Sequence, residues 1–221
     1  MTCILLLASG SPRRRELMEL TGWEMEICSV PVNERVQVDE RAEAVAIRLA
    51  QTKARAAAAE CPACELVLAA DTVVVDGSTI LGKPVDARDA ERMLLMLRDR
   101  EHEVITALAL LQPNRGEEIV ETCKTGVPMR TYDNDALQTY IKGGSPLDKA
   151  GAYGIQDRDF NPVNLSQMQG CFANVMGLPL CHLQRALESL GYEIEVDLPS
   201  RCIAYTEYDC SVYQEILRGK L

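Results

Sequence analysis

The chain has 221 residues, 47% hydrophobic and 25% charged, an ordinary globular balance that excludes disordered and fibrous classes. Lys and Arg number 23 against 33 Asp and Glu, and the formal charge of −10 opposes a protein that coats nucleic acid through its overall field. The longest apolar runs, Ile4–Ala8 and Leu66–Ala70, are far too short to cross a bilayer, and no leader pattern is visible, so a soluble cytoplasmic domain is expected.

Cys3–Ala8 is a continuous apolar run, the mark of a strand buried on both faces. Ser9-Gly-Ser-Pro12 follows and predicts a helix with Ser11 as N-cap and Pro12 in the first turn, where its missing N–H costs nothing. Glu24–Val30 alternates like a strand. Asp39 or Glu40 opens a long helix to about Glu60, with Ala42, Val45, Ala46, Leu49 and Ala56 at helical spacing. Leu66–Ala70 and Thr72–Val75 read as the next strand, turning at Asp76–Ser78. Asp86 caps a helix whose stripe is Ala90, Met93, Leu94 and Leu97. Glu103–Gln112 and Glu117–Met129 form a hairpin about Pro113–Gly116. Asp133 begins another helix, ended by Gly143-Gly144, and after an irregular segment Pro179–Leu190 forms a helix stopped by Gly191. The class is mixed α/β; a Rossmann domain is disfavoured because no G-x-G-x-x-G follows the first strand.

Nine scattered cysteines read as reduced thiols, several buried as small apolar side chains. Cys61-Pro-Ala-Cys64 has the spacing of a redox pair or half a zinc site, with no second tight pair to complete one. His102 and His182 stand alone and read as structural.

Chemistry concentrates elsewhere. Ser9-Gly-Ser-Pro-Arg-Arg-Arg15 places small residues at a strand end before a helix N-terminus, with Arg13 and Arg14 as planar forks for phosphate oxygens. Lys53 falls on the apolar stripe of its helix, where its stem snorkels past the core or its ammonium enters an anion pocket. Lys83 sits fixed between Gly82 and Pro84. Asp71 interrupts the apolar run Leu66–Val75, and a buried carboxylate is expensive unless hydrogen-bonded, paired or bound to a cation. Glu34 offers a second carboxylate from a loop, and Gln156 carries the donor and acceptor needed to read a base edge.

Taken together, Ser9–Arg14, Val32-Asn-Glu34, Lys53, Ala70-Asp-Thr72, Gly82-Lys-Pro84, Asp148–Gln156 and Val175–Pro179 resemble the Maf family of nucleoside triphosphate pyrophosphatases, in family order over residues 3–190. The resemblance implies an elongated, curved mixed sheet flanked by helices, with two lobes and a cleft. It implies a cytoplasmic enzyme, often dimeric, that uses Mg²⁺ or Mn²⁺ to split a nucleoside triphosphate into monophosphate and pyrophosphate. On that reading Asp71 is the general base, and Glu34 and Asp71 hold the metal. Ser9, Arg13, Arg14, Lys53 and Lys83 bind phosphate, and Arg13, Thr72 and Gln156 mark the branch acting on dTTP and UTP. The alternatives are the 7-methyl-GTP branch and a nucleotide-binding regulator of cell division without hydrolysis. Three departures stand out: Asn33 where the family commonly has Asp, an Asn- and Gln-rich Asp157–Gln169, and an extension over residues 198–221 beyond a 1–197 domain.

Overall fold

The computed structural model describes residues 5–220, so the first two residues of the predicted strand Cys3–Ala8 lie outside it. Strand β1 (Leu5–Ala8) is buried along its length and runs parallel to both β2 (Glu26–Cys28) and β3 (Leu66–Asp76). β3 continues well beyond the end of β1. Its far end pairs antiparallel with β4 (Thr79–Leu81), while β5 (Glu101–Gln112) runs antiparallel along its other edge and β6 (Glu117–Pro128) along β5. The result is a six-stranded mixed sheet of order β2-β1-β3-β5-β6 with β4 beside β3.

The unequal strand lengths leave a gap along β3. β1 pairs with β3 only through Leu68, and β4 takes up pairing at Val74. Residues 69–73 therefore have an open edge in the middle of the sheet.

The sheet carries an apolar core on each face. On one, α2 (Ala42–Glu60) lies against β3 and β5 through small side chains: Ala46, Ala50, Ala54 and Ala57 meet Ala69, Ala107 and Ala109, all fully buried. On the other, α1 (Pro12–Glu19), α3 (Ala87–Leu97), α4 (Asn134–Lys142), α5 (Phe172–Met176) and α6 (Leu180–Ser189) cover a larger cluster of Leu, Met and aromatic residues. The predicted caps Asp86 and Asp133 accept from the N–H groups of Asp89 and Ala136, both at 2.8 Å.

Several expectations need correcting. α2 starts at Ala42 rather than Asp39 or Glu40: Arg41 is extended, Asp39 has φ 60°, and the Glu40 carboxylate accepts from Arg48 at 2.6 and 2.7 Å instead of capping the helix. Ser11 occupies the N-cap position of α1 without a side-chain capping bond; its own N–H donates to Ser9 Oγ at 3.2 Å. The strand expected over Glu24–Val30 shrinks to Glu26–Cys28.

Residues 157–169 make no strand beyond the single bridge Met129–Val163. The C-terminal extension folds as α7 (Leu198–Thr206) and α8 (Tyr213–Leu217) and docks on the domain. Leu198, Tyr208 and Ile216 are buried, and Tyr205 donates to Glu16 of α1 at 2.7 Å.

The alanine interface on α2 has no spare volume. Ala54→Leu is expected to lower stability by about 1–3 kcal/mol through overpacking, measured as a shift in the urea midpoint; an unchanged midpoint would contradict the tight contact.

Candidate active site

Asp71 sits on the open stretch of β3, 7% exposed, facing α2. The close approach of the alanine-lined helix brings Lys53 to it: Nζ donates to Asp71 Oδ1 at 2.6 Å. The same ammonium lies 2.6 Å from Glu34 Oε1, so one lysine bridges two carboxylates from different segments. Their environments differ. Burial raises the Asp71 carboxyl above the usual range, and the Lys53 and Arg14 charges only partly offset it. Glu34 is more exposed; burial pushes it up, but the hydrogen bond and charge of Lys53, with Lys83 and Arg14, hold it below the usual range. Two carboxyls with oppositely shifted affinities for a proton stand on one lysine, the pattern that separates a base from a permanently charged group.

Thr72 projects to the opposite face, as strand alternation requires. Its Oγ1 accepts from Arg14 Nη2 at 3.0 Å and pairs with Thr106 Oγ1 at 2.9 Å. Arg14 also donates through Nε to the Gly177 carbonyl at 2.8 Å. The guanidinium is lowered from its ordinary affinity by burial, against which the Asp71 charge acts. The open edge of β3 thus lets residues on both faces of one strand line a single cavity.

That cavity is about 400 Å³ and contains Lys53, Asp71, Thr72, Lys83, Gly154 and Gln156 in its lining. A second, of about 470 Å³, contains Ser9, Gly10, Pro12 and Pro31 in its lining and shares Arg13, Arg14, Glu34, Lys53 and Lys83 with the first. Arg13 and Asp148 line both cavities, and Arg13 Nη1 donates to Asp148 Oδ2 at 2.8 Å. Ser9 is buried and Lys83 exposed on the rim. All the sequence-selected residues therefore line one pair of joined cavities, with Ser9 in one, Gln156 in the other, and Arg13, Arg14, Lys53 and Lys83 in both.

Sequence reasoning missed the frame around Gln156. Its Nε2 donates to Asp157 Oδ1 at 3.4 Å, and Asp157 Oδ2 accepts from Tyr140 Oη at 2.6 Å and Ser145 Oγ at 2.8 Å. Gly154 lies so close that a Cβ there would stand 2.7 Å from Asp157 Oδ1, which requires glycine. Lys149, buried, ties the neighbouring turn together by donating to the Ser145 carbonyl at 2.6 Å. Local sequence held only weak signals of this: acidic Asp157 beside a candidate base reader, and a lysine inside a glycine-rich run. The predicted structural histidines are buried: His102 bonds Tyr153 Oη at 2.7 Å, and burial lowers both His102 and His182 to about 4.

The donor set also bears on a metal. Glu34 and Asp71 are hard oxygen ligands held together by one ammonium, and a carboxylate has more lone pairs than one N–H uses. Magnesium and manganese are typically held by one or two such carboxylates plus substrate phosphates and water, so the residues present fit. Asn33 Oδ1 is engaged by the Arg35 N–H at 3.1 Å, a turn-forming role.

Cations around a loop, a carboxylate pair of unequal proton affinity and an amide in the same cavity define a cleft suited to hydrolysing a polyanion that carries a base. The family model for Maf-like proteins matches residues 4–190, and the chain belongs to the Maf family. It is 39% identical over 188 residues to the dTTP/UTP pyrophosphatase of Dehalococcoides mccartyi strain BAV1, covering 85% of this chain and 83% of that one. It is 40% identical over 187 residues to the dTTP/UTP pyrophosphatase of Geobacter sp. strain M21, covering 85% and 95%. Among solved structures, a nucleoside-triphosphatase / dITP/XTP pyrophosphatase of Mycobacterium abscessus aligns at 19% identity and a TM-score of 0.40, covering 84% of this chain and 97% of that one.

Gly177 ends α5 with φ 108°, and a Cβ there would meet Thr72 Oγ1 at 3.1 Å and Arg14 Nε at 3.3 Å. Gly177→Ala should cost about 1–3 kcal/mol of backbone strain and loosen Arg14. The expected result is a lower thermal midpoint together with weakened nucleotide binding by calorimetry; wild-type affinity in a destabilised variant would separate Arg14 from the site.

Proposed function

We propose that this chain is a cytoplasmic nucleoside triphosphate pyrophosphatase that splits dTTP and UTP between the α- and β-phosphates. The observation that carries this reading is the Lys53 bridge between Asp71 and Glu34 at the junction of the two cavities. The relatives at 38–40% identity, which are dTTP/UTP pyrophosphatases, point the same way. None of the described helices is long and apolar enough to cross a membrane.

The triphosphate lies toward the Ser9–Arg14 loop, where Arg13, Arg14 and Lys83 neutralise its charge; positioning and charge stabilisation dominate such chemistry. Lys53 holds the two carboxylates in register and counters their mutual repulsion. Asp71, whose carboxyl is raised by burial, takes a proton from the attacking water. Glu34 and Asp71 would hold a divalent cation, which when bound would supply positive charge to stabilise the leaving pyrophosphate. Thr72 acts by fixing Arg14 rather than by touching the base.

Base choice follows from Gln156. One N–H of Nε2 goes to Asp157, which fixes the direction of the amide, so Oε1 is set to accept the N3–H of uracil or thymine and the second N–H to donate to the carbonyl beside it. Cytosine has an acceptor at N3 and leaves two lone pairs facing each other, so CTP is a weaker substrate. Purine triphosphates are poor ones, because a site that reads one edge rejects others.

A panel of UTP, dTTP, CTP, ATP, GTP and 7-methyl-GTP with Mg²⁺, scored by pyrophosphate release, tests the assignment. Monophosphate appearing from none of them would leave a binding protein. Preference for 7-methyl-GTP would move the chain to the other branch. Asp71→Asn should keep the fold and lower kcat roughly 100- to 10,000-fold. Because the base must be deprotonated, kcat/KM should fall as pH drops through an Asp71 pKa above the ordinary value of about 3.9, and the residual activity of Asp71→Asn should lack that limb.

Gln156→Ala should lower kcat/KM for UTP about tenfold and erase the preference for UTP over CTP. Equal losses on both nucleotides would show that Gln156 supports the pocket without reading the base.

A further inference from the structure

Far along α2 from Lys53, the helix ends in Cys61-Pro-Ala-Cys64, which the cleft does not use. Cys61 is the C-cap, its N–H donating to the Ala57 carbonyl at 3.1 Å, and the Cys64 N–H turns back to the Cys61 carbonyl at 3.2 Å. This tight turn aims both side chains at one point, with the sulfur atoms 2.7 Å apart; on a tetrahedral zinc with Zn–S bonds of about 2.3 Å they would stand roughly 3.8 Å apart, so the thiols must turn outward to admit the ion. Glu26 on the edge strand β2 reaches the same point. A carboxylate oxygen and the two Sγ atoms all lie within 4.8 Å of one another, and among the described residues no other set of three His, Cys, Asp or Glu does so. Cys64 is buried, Cys61 half-buried and Glu26 exposed.

We propose that Glu26, Cys61 and Cys64 bind a zinc ion that ties the end of α2 to the edge of the sheet. Three features select zinc over other occupants. Two thiols at C-x2-C spacing with a carboxylate are three of the four donors a tetrahedral zinc takes, and the exposed side leaves the fourth position to water. Thiolate sulfur also discriminates against the magnesium or manganese that suits Glu34 and Asp71, so the two sites do not compete. Finally, a dithiol oxidoreductase places its attacking cysteine at a helix N-terminus, where the dipole favours thiolate. Cys61 stands at the opposite end of its helix, the wrong end for that chemistry. On binding, each S–H bond is exchanged for an S–Zn bond and the two thiol protons pass to solvent, leaving a divalent ion shared by two thiolates and one carboxylate.

The test uses the whole chain, purified reduced and without chelator, analysed for metal by mass spectrometry and then titrated with cobalt(II) after zinc removal. The expected result is about one zinc per chain, with thiolate-to-cobalt charge-transfer absorption in the near ultraviolet, tetrahedral d–d bands in the red, and displacement of both by zinc. Cys61→Ser should lose the charge-transfer absorption. Glu26→Gln should retain it while zinc affinity falls by more than the roughly tenfold lost with an outer-shell partner. Zinc should raise the thermal midpoint of the wild type and leave that of Cys61→Ser unmoved.

A reduced wild-type chain that shows no thiolate–cobalt absorption, or forms a Cys61–Cys64 disulfide in air but takes up no metal once reduced, overturns the proposal. So does an unchanged cobalt spectrum in Cys61→Ser. Because Glu26 is exposed, Glu26→Gln carries the test if the cysteine variant misfolds, and unaltered zinc affinity in it removes Glu26 from the site and the proposal with it.

Discussion

The architecture of the cleft depends on one ammonium. Lys53 places its charge 2.6 Å from both Asp71 and Glu34, and without it a carboxylate would stand unpaired inside the sheet. Removing one partner of a buried pair is strongly destabilising because the other charge is left uncompensated. The pair nevertheless remains unequal: Asp71 is buried and Glu34 open to water, so the same lysine stands between a carboxyl raised by burial and one held below the usual range. The alanines of α2 are what make the contact short. Larger residues at Ala50, Ala54 or Ala57 would lift the helix and carry the ammonium away from β3.

The second constraint is the unpaired edge of β3. A strand in mid-sheet presents alternate side chains to two separate cores, and Asp71 and Thr72 do lie on opposite faces. They line one cavity because β1 stops before them and β4 starts after them. Arg14 enters through that gap and joins Thr72 to the carbonyl of Gly177. Difference in strand length, more than any single residue, creates the opening into which the site is built.

Much of this was legible in the chain itself. The buried strand β1, the caps Asp86 and Asp133, the hairpin β5–β6 and the helix α6 follow from local patterns that the tertiary structure does not override. Asp71 and Lys53 could be read as anomalies because each violates an apolar pattern, and a violation points outward to a missing partner. That the partner of each is the other could not be read, since it depends on the approach of α2 to β3. The start of α2 misled for a related reason: Asp39 and Glu40 look like caps, but Glu40 is drawn to Arg48 a full turn and more inside the helix. Asp157 stayed hidden because its partners Tyr140 and Ser145 come from a separate segment and meet it only in the folded chain.

The order in which strands pair has a consequence for how the molecule matures. β5 and β6 are joined by a short turn and β3 is separated from β5 only by β4 and α3, so this antiparallel unit closes shorter loops. The parallel pairing of Leu5 with Leu66 must instead enclose the whole stretch that contains both Glu34 and Lys53. Long-range closure of that kind is the slow part of assembling a sheet. Until it occurs, Asp71 sits on a formed strand without the Ser9–Arg14 loop beside it, although α2, which packs on β3 and β5, can already bring Lys53 to it. The arginine side of the cleft thus reaches Asp71 only through a long closure, and a chain that has paired its antiparallel strands alone still lacks the Ser9–Arg14 loop beside the carboxylates.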